Sequence, residues 1–210
     1  LYQSNEPTSL SHCYSKIKGG NIMKTIILAT SNLNKKKEYE EILSSYQLYT
    51  LQEKGIAFKV KENGKTFQDN AFIKAKEAAS FCNEMVLADD SGLIIDALPH
   101  ILGVHSARFK KKKTYPEKCA IILKKMKNIK KRTARFVCTL CLITKEKEVY
   151  YFEGVCEGTI ALSYQGENGF GYDPIFIPNG FKQTFAEMTE EEKNQISHRK
   201  KATDQLLKFL

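Results

Sequence analysis

A short strand, a polar loop and a helix are predicted where the sequence first offers groups that could bind phosphate. Lys24–Thr30 is an apolar, β-branched run, and Ser31 and Asn32 follow it with side chains typical of helix N-caps. Lys35 begins the predicted helix Lys35–Ser45. Backbone N–H groups at a helix N-terminus attract anions, and a lysine can pair with phosphate oxygens. The segment therefore suggests a polyphosphate contact, with an ordinary helix cap as the alternative.

Two adjacent carboxylates follow another predicted strand, Met85–Ala88, in the segment Asp89-Asp90-Ser91-Gly92. If the strand geometry persists, one carboxylate faces the core and the other a cleft, because alternate residues of a strand point to opposite faces. Such a carboxylate could hold Mg²⁺ or activate water. Glu62 and Lys74 lie on a segment that could bring a second acid and a cation to the same place. The alternative is a simple Asp-Ser-Gly turn.

A third group of candidate residues lies in the last quarter of the chain. Gly169-Phe-Gly-Tyr-Asp-Pro174 encloses two aromatic residues between glycines, and Lys193 precedes His198 and Arg199 at a predicted helix start. Aromatic rings can receive a flat base, and His and Arg can donate hydrogen bonds to its edge. The alternative is a tight turn packed by aromatic residues beside a surface helix cap.

Two common nucleotide-binding motifs fail on spacing. Gly64-Lys65-Thr66 ends like a P-loop, but Lys59 occupies the position of the first glycine. Gly166, Gly169 and Gly171 are spaced GxxGxG, whereas the dinucleotide-binding motif is GxGxxG after a strand. Neither pattern predicts a site.

Several segments together resemble the inosine/xanthosine triphosphate pyrophosphatase family, in order and at fitting spacings from Met23 to Leu210. They are Thr30–Lys35, Glu62 with Thr66–Lys74, Ala88–Leu93, Ser106–Arg108, Gly169–Pro174 and Lys193–Arg199. The resemblance implies Mg²⁺-dependent hydrolysis of ITP, dITP and XTP to the monophosphate and pyrophosphate. It also implies an α/β fold with an elongated, mixed twisted sheet flanked by helices, two lobes with the active-site cleft between them, and a homodimer.

The resemblance also implies a role for each matching residue. Asp90 would be the catalytic residue near water and metal, and Glu62 and Asp90 would be metal ligands. The polyphosphate would be bound by Thr30, Ser31, Asn32, Lys35, Lys74 and Lys193, with Ser91 as a further substrate contact. The nucleoside pocket would consist of Phe170, Gly171, Tyr172 and Asp173, with His198 and Arg199 at the base. The sequence departs from the family pattern at Leu102-Gly103, where Pro-Gly is common, and at Lys110–Lys113.

These segments must be positioned by alternating strands and helices. The predicted strands are Lys24–Thr30, Phe58–Lys61 and Met85–Ala88, and the predicted helices between them are Lys35–Ser45 and Thr66–Phe81. This alternation is typical of an α/β sheet. Thr133–Ser163 predicts successive antiparallel strands, with turns at Lys145–Lys147 and Glu157–Gly158, and a last helix covers about His198 to Phe209.

The net charge of +9 is concentrated in one segment. Between Lys110 and Arg135 there are twelve Lys and Arg residues and one acid, Glu117, which leaves −2 for the other residues. A single basic segment on a near-neutral body favours a solvated insertion or helix face, so we expect no obligatory nucleic acid. The expected partner is a purine nucleoside triphosphate. The alternative functions are a nucleic-acid-binding module that uses this segment and a nucleotide pyrophosphatase of different base preference.

Composition bounds the remaining possibilities. With 210 residues, 42% hydrophobic and 27% charged, the chain is expected to form one globular domain over residues 23–210, and residues 1–22 are expected to be a loose extension without a signal-peptide core. Its apolar runs are shorter than the roughly 20 residues that cross a bilayer, so no membrane association is expected. Six irregularly spaced cysteines favour a reduced compartment, the cytoplasm. Cys138 and Cys141 lie on one predicted strand and should point to opposite faces.

Overall fold

The computed structural model describes residues 23–210, and a six-stranded mixed sheet forms their centre. The strands are β1 (Thr25–Leu28), β2 (Gln47–Thr50), β3 (Met85–Ile95), β4 (Thr133–Ile143), β5 (Val149–Ile160) and β6 (Phe176–Pro178). Their order across the sheet is β2-β1-β3-β4-β5-β6. β1 is parallel to β2 and β3, whereas the pairs from β3 to β6 are antiparallel. The α/β fold with a mixed sheet is confirmed. Its elongated, two-lobed outline stays a prediction, and the extension 1–22 lies outside the described residues.

Helices cover both faces of this sheet. They are α1 (Leu33–Ile42), α2 (Phe67–Ala78), α3 (Tyr115–Lys125), α4 (Glu190–Ile196) and α5 (His198–Phe209). Residues of α1 and α5 share one apolar cluster with alternate residues of β4, and residues of α2 share another with residues from the opposite face of β4. A third cluster joins α3 to the distal part of β3, β4 and β5. The sheet is therefore the common support for elements far apart in sequence.

The two cysteines of β4 confirm its strand geometry. Cys138 packs in the cluster of α1 and α5, whereas Cys141 packs in the cluster of α2, on the opposite face. Both thiols are free, and burial raises the pKa of each to about 12. They are core residues whose thiols stay protonated at neutral pH.

The strand that carries the paired carboxylates is longer than predicted. β3 continues through Asp89 and Asp90 as far as Ile95, and Asp90 pairs with Thr139 of β4. The alternative of an Asp-Ser-Gly turn is therefore wrong. Because the strand continues, the two buried carboxylates point to opposite faces of the sheet.

Two other local predictions were wrong. Phe58–Lys61 is not a strand, and the neighbour of β1 is instead β2, a short edge strand. Glu157–Gly158 is not a turn, because both residues lie within β5. A side chain at Gly158 would collide with the carbonyl of Ile177 on β6. This glycine therefore allows close strand packing and does not mark a change of direction.

The lysine-rich segment contains a helix that the sequence analysis did not identify. Lys110–Lys113 precede α3 and are exposed, as expected for a solvated face. The helix begins at a capping box formed by Thr114 and Glu117, and Ile122 lies in the core. Lys118 departs from the expectation because it is buried and donates to the carbonyl of Ala107 at 3.1 Å. In residues 23–210, no helix is long and apolar enough to cross a membrane.

Candidate active site

A cleft of about 340 Å³ lies beside the carboxyl end of β1. Every candidate site residue from the sequence analysis lines it. They are Thr30, Ser31, Asn32, Lys35, Glu62, Lys74, Asp90, Ser91, Phe170, Gly171, Tyr172, Asp173, Lys193, His198 and Arg199. The fold therefore brings together five separate segments, and their individual roles stay predictions.

The loop before α1 is ordered by its own polar side chains. Asn32 is the N-cap, and its Oδ1 accepts from the backbone N–H groups of Asn34 at 3.0 Å and Lys35 at 3.3 Å. The Asn32 N–H donates to Thr30 Oγ1 at 3.1 Å. Ser31 is exposed at the cleft. The loop is thus both a helix cap and a fixed polar edge of the cleft. A helix cap and a polyphosphate contact, the two interpretations of this segment, are therefore compatible.

The negative charge of the buried Asp90 carboxylate is only partly offset by its neighbours. Asn70 donates to Asp90 Oδ2 at 2.9 Å, and Lys74 Nζ lies 3.9 Å from Asp90 Oδ1. Burial raises the pKa of Asp90, and the attraction of Lys74 and the Asn70 hydrogen bond offset this only in part. A nearby cation would stabilise the charged form of this carboxylate.

Glu62 lies on the same side of the cleft as Asp90. Its carboxylate pairs with Lys74 at 3.2 Å and with Arg108 at 3.2 Å. In residues 23–210, no group of three or more His, Cys, Asp or Glu side chains is arranged to hold a metal ion. Mg²⁺ needs fewer protein ligands, because it is usually bound by one or two carboxylates with waters and substrate phosphates. Glu62 and Asp90, two carboxylates beside Lys74, fit that mode of binding, because the negative charge of Asp90 is only partly offset by its neighbours.

Asp89 lies on the opposite face of β3 within a network of buried charges. Its Oδ2 accepts from Lys35 Nζ at 2.7 Å and lies 3.6 Å from the Arg199 guanidinium. Burial alone would raise the pKa of Asp89, but Lys35 and Arg199 hold it well below its usual range. Ser91 joins the network, because its Oγ donates to Asp89 at 3.3 Å and accepts from Arg199 at 3.3 Å.

Glu38 of α1 extends the network to a second cation. Its carboxylate accepts from Lys193 Nζ at 2.7 Å and from the Arg199 guanidinium. Lys193 also donates to Asp173 at 2.7 Å. Two carboxylates therefore compensate the charge of Lys193, which lies at the aromatic end of the cleft, beside the ring of Phe170 at 4.8 Å.

The aromatic end of the cleft is held by hydrogen bonds and ring contacts. Asp173 accepts from the N–H of Phe170 at 2.8 Å, and Tyr172 donates its hydroxyl to the carbonyl of Ser106 at 2.8 Å. His198 stacks on Phe136, with ring centroids 4.8 Å apart. Burial and the nearby cations lower the pKa of His198 well below its usual value, so its imidazole is neutral.

Sequence reasoning missed three residues that contact this site. Glu38 follows Lys35 by one helical turn, a spacing that places both on one side of α1. Asn70 lies in the first turn of α2, and Tyr115 begins α3. The helical spacing of Glu38 was the one signal available, because the contacts of Asn70 and Tyr115 join separate elements.

Comparisons with known proteins agree with this arrangement. The model of the Ham1 family matches residues 26–209. The dITP/XTP pyrophosphatase of Oceanobacillus iheyensis is 42% identical over 194 residues, which cover 90% of this chain and 98% of that protein. The dITP/XTP pyrophosphatase of Bacillus subtilis is 45% identical over 194 residues, which cover 90% of this chain and 98% of that protein.

Solved structures show the same fold. The Ham1 protein of Staphylococcus aureus superposes with a TM-score of 0.80 at 38% identity, covering 89% of this chain and 97% of that chain. A HAM1 protein from Coxiella burnetii superposes with a TM-score of 0.81 at 38% identity, covering 89% of this chain and 98% of that chain. The family resemblance drawn from the sequence motifs is confirmed. This chain belongs to the Ham1 family.

Proposed function

We propose that this protein hydrolyses the deaminated purine nucleoside triphosphates ITP, dITP and XTP to the nucleoside monophosphate and pyrophosphate, and so removes them from the nucleotide pool. The observation that carries the proposal is a single cleft with the contacting group Asp90, Lys74 and Glu62 at its charged end and an aromatic end where Lys193 and Arg199 lie beside the ring of Phe170. The family membership and the relatives named dITP/XTP pyrophosphatases support the same reaction.

The charged end of the cleft suits attack of water on an α-phosphorus. The attacking water must approach an anionic ester, so positive charge near the phosphate oxygens lowers the barrier. Lys35 and Lys74 line this end, and Thr30, Ser31 and Asn32 add neutral hydrogen-bonding groups. Ser91 and Lys193, which lies at the aromatic end beside Phe170, complete the proposed substrate contacts. The same cations stabilise the leaving pyrophosphate.

Asp90 is the proposed catalytic residue. Its carboxylate faces the cleft, is oriented by Asn70 and has a pKa raised by burial. A carboxylate with a raised pKa is a better proton acceptor than one at its ordinary value. Asp90 therefore orients the water and accepts its proton, and the attraction of Lys74 favours the charged carboxylate before the transfer.

Mg²⁺ is the proposed cofactor, with Glu62 and Asp90 as its protein ligands. When bound, Mg²⁺ would neutralise phosphate oxygens. Activity measured after chelation, and again after Mg²⁺ is restored, tests this requirement. Full activity in chelator would contradict it.

The aromatic end suits selection of the base. Phe170, Gly171, Tyr172 and Asp173 form the proposed nucleoside pocket, with His198 and Arg199 as the proposed donors to a 6-keto oxygen. The 6-amino group of adenine would leave such donors unpaired, at a cost of about 1–3 kcal/mol for each group.

A substrate panel tests the proposed function. Pyrophosphate release is measured from ITP, dITP, XTP, ATP, GTP and TTP under identical conditions, with the monophosphate product identified in each case. We expect kcat/KM for ITP and XTP to exceed that for ATP, GTP and TTP by a large factor. A different ranking would indicate another base preference. Salt-sensitive binding of RNA or DNA without turnover would favour the nucleic-acid-binding alternative.

Two further properties complete the proposal. A homodimer is supported by the family resemblance, and light scattering of the purified protein would distinguish it from a 23.9 kDa monomer. A cytoplasmic location is supported by the free cysteines of the described residues, since disulfides are rare in reducing compartments. Cell fractionation tests the location.

A further inference from the structure

Tyr115 is an aromatic residue of the cleft that none of the sequence motifs includes. It is the first residue of α3, its side chain lines the cleft, and the residue is 37% exposed. The capping box fixes its backbone, because the Glu117 carboxylate accepts from the Thr114 N–H at 2.8 Å. The ring is therefore held at the cleft by a defined helix start.

The protein supports the Tyr115 ring on two sides. Tyr115 and Tyr172 form a T-shaped pair, with ring centroids 5.5 Å apart and an interplanar angle of 87°. The ammonium of Lys118 lies 4.5 Å from the Tyr115 centroid. Lys118 is buried, outside the cleft lining, so it supports the ring from the protein side. A ring fixed in this way loses little rotamer freedom when a ligand packs on it.

Other aromatic residues of the cleft offer less free surface at this end. Phe136 and Tyr172 are buried. Phe58 also lines a depression that Thr30 and Ser31 share, so Phe58 lies at the charged end of the cleft. Among the described residues, the ring surface open to a base at the aromatic end therefore comes from Phe170 and Tyr115.

We propose that Tyr115 is a further substrate contact, an aromatic surface on which the purine base packs together with Phe170, and this inference rests on the proposed function. A base has a π-face whatever its edge groups, so the contact strengthens binding of the nucleoside without reading the 6-keto oxygen. Burial raises the pKa of Tyr115, so the phenol is neutral at physiological pH and does not repel the triphosphate.

The inference predicts a loss of affinity without a matching loss of turnover. Removal of a base-stacking ring should raise KM for ITP roughly 5- to 150-fold. The kcat should stay within about 3-fold, because the ring contacts the nucleoside end and not the reacting phosphate.

Three variants separate the ring from its hydroxyl and its bulk. Tyr115→Phe keeps the ring and should stay close to wild type. Tyr115→Ser removes the ring, and Tyr115→Leu keeps apolar bulk without a π-face, so both should raise KM. Tyr151→Ser is the matched control, because Tyr151 is 39% exposed and lies on β5 outside the cleft lining. The melting temperature of each variant reports folding, and Tyr115→Leu serves if Tyr115→Ser does not fold.

Inorganic triphosphate, which has no base, distinguishes a base contact from general damage to the cleft. Its inhibition constant should be the same for wild type and Tyr115→Ser. An unchanged KM for ITP in both ring-removing variants would overturn the inference, as would a Tyr115→Phe effect as large as that of Tyr115→Ser. A parallel rise in the triphosphate inhibition constant would also overturn it.

The same proteins separate failure of this inference from failure of the proposed function. A wild-type protein that releases no pyrophosphate from ITP, dITP or XTP refutes the function. Equilibrium binding of ITP to wild type and Tyr115→Ser then tests the contact directly. Weaker binding by the variant supports Tyr115 as a base contact, and equal dissociation constants overturn it.

Discussion

The buried carboxylate of Glu38 holds two cations of the cleft, so Glu38→Gln tests whether this network supports the fold. The substitution keeps the size of the side chain and removes its charge. One amide oxygen remains to accept a hydrogen bond, while the new NH₂ group faces cationic donors. We therefore expect a less stable protein whose cleft cations are less firmly held.

The structure sets the size of this effect. Glu38 is 9% exposed and Arg199 is 1% exposed, and removal of one partner from a buried ion pair costs about 3–5 kcal/mol. In the variant, Lys193 would still pair with Asp173, at 2.7 Å in the wild-type structure, and Arg199 with Asp89, at 3.6 Å. The loss should therefore be near the lower value, about 3 kcal/mol, which for a domain of this size lowers Tm by about 6–12 °C.

Urea unfolding of wild type and Glu38→Gln measures the loss directly. Glu190→Gln is the matched control, because the Lys37–Glu190 pair has side chains that are 62% and 52% exposed. Exposed pairs contribute about 0–1 kcal/mol, so the control should unfold close to wild type. A Glu38→Gln protein as stable as the control, with an unchanged slope against urea, would refute the argument that Glu38 holds the network.

The pH dependence of this difference has a definite sign. Burial alone would raise the pKa of Glu38, but Arg199 and Lys193 more than offset it and hold the pKa below its ordinary value. A depressed pKa contributes stability above the unfolded-state pKa, about 4.3, which is lost as pH falls through the native pKa. The gap between wild type and Glu38→Gln should therefore narrow below about pH 4.3.

Five further changes test other residues. Asp90→Asn should lower kcat for ITP by roughly 100-fold or more at unchanged Tm, whereas Asp89→Asn should mainly lower Tm; comparable kcat losses without a Tm change would contradict these roles. Replacement of Lys110–Lys113 by Ser should leave kcat/KM within a few-fold at physiological salt, because the four lysines are exposed outside the cleft lining; steady-state kinetics measure this. Arg199→Ala should raise KM for ITP and shrink the ITP-over-ATP ratio of kcat/KM, and an equal fall for both nucleotides would assign Arg199 to the framework. His198→Gln should flatten the loss of stability below about pH 6.5 seen by urea unfolding, because the unfolded imidazole binds a proton that the buried one does not.

Strong local patterns made much of the fold predictable. The apolar run of β1 and the helical spacing of α2 gave the correct element types. β2 was missed because Gln47–Thr50 is a four-residue edge strand with few apolar residues. α3 was missed because lysines surround its buried residues. Gly158 was misread because its role is to admit β6, a contact that exists only in the folded sheet.

The site was predictable as a set of residues but not as a network of contacts. The matching motifs identified which residues line the cleft. They did not show that Arg199 pairs with Glu38, because the two residues are 161 positions apart in sequence. Nor did they show that Lys193 lies between Glu38 and Asp173. Such partners depend on how α1, α4 and α5 pack on the sheet, which local spacing does not encode.

The Arg199–Glu38 contact also determines the order in which a growing polypeptide can complete its fold. α1 and β3 leave the ribosome before α5, so Glu38 and Asp89 are made long before their shared guanidinium. Lys35 and Lys193 are made before Arg199 and pair with one carboxylate each, but the guanidinium that links the two carboxylates arrives only with α5. A nascent chain stalled before His198 would lack the guanidinium that Glu38 and Asp89 share and would leave the apolar residues under α5 uncovered, the kind of surface that chaperones bind. Synthesis of α5 and completion of the cleft are therefore coupled events.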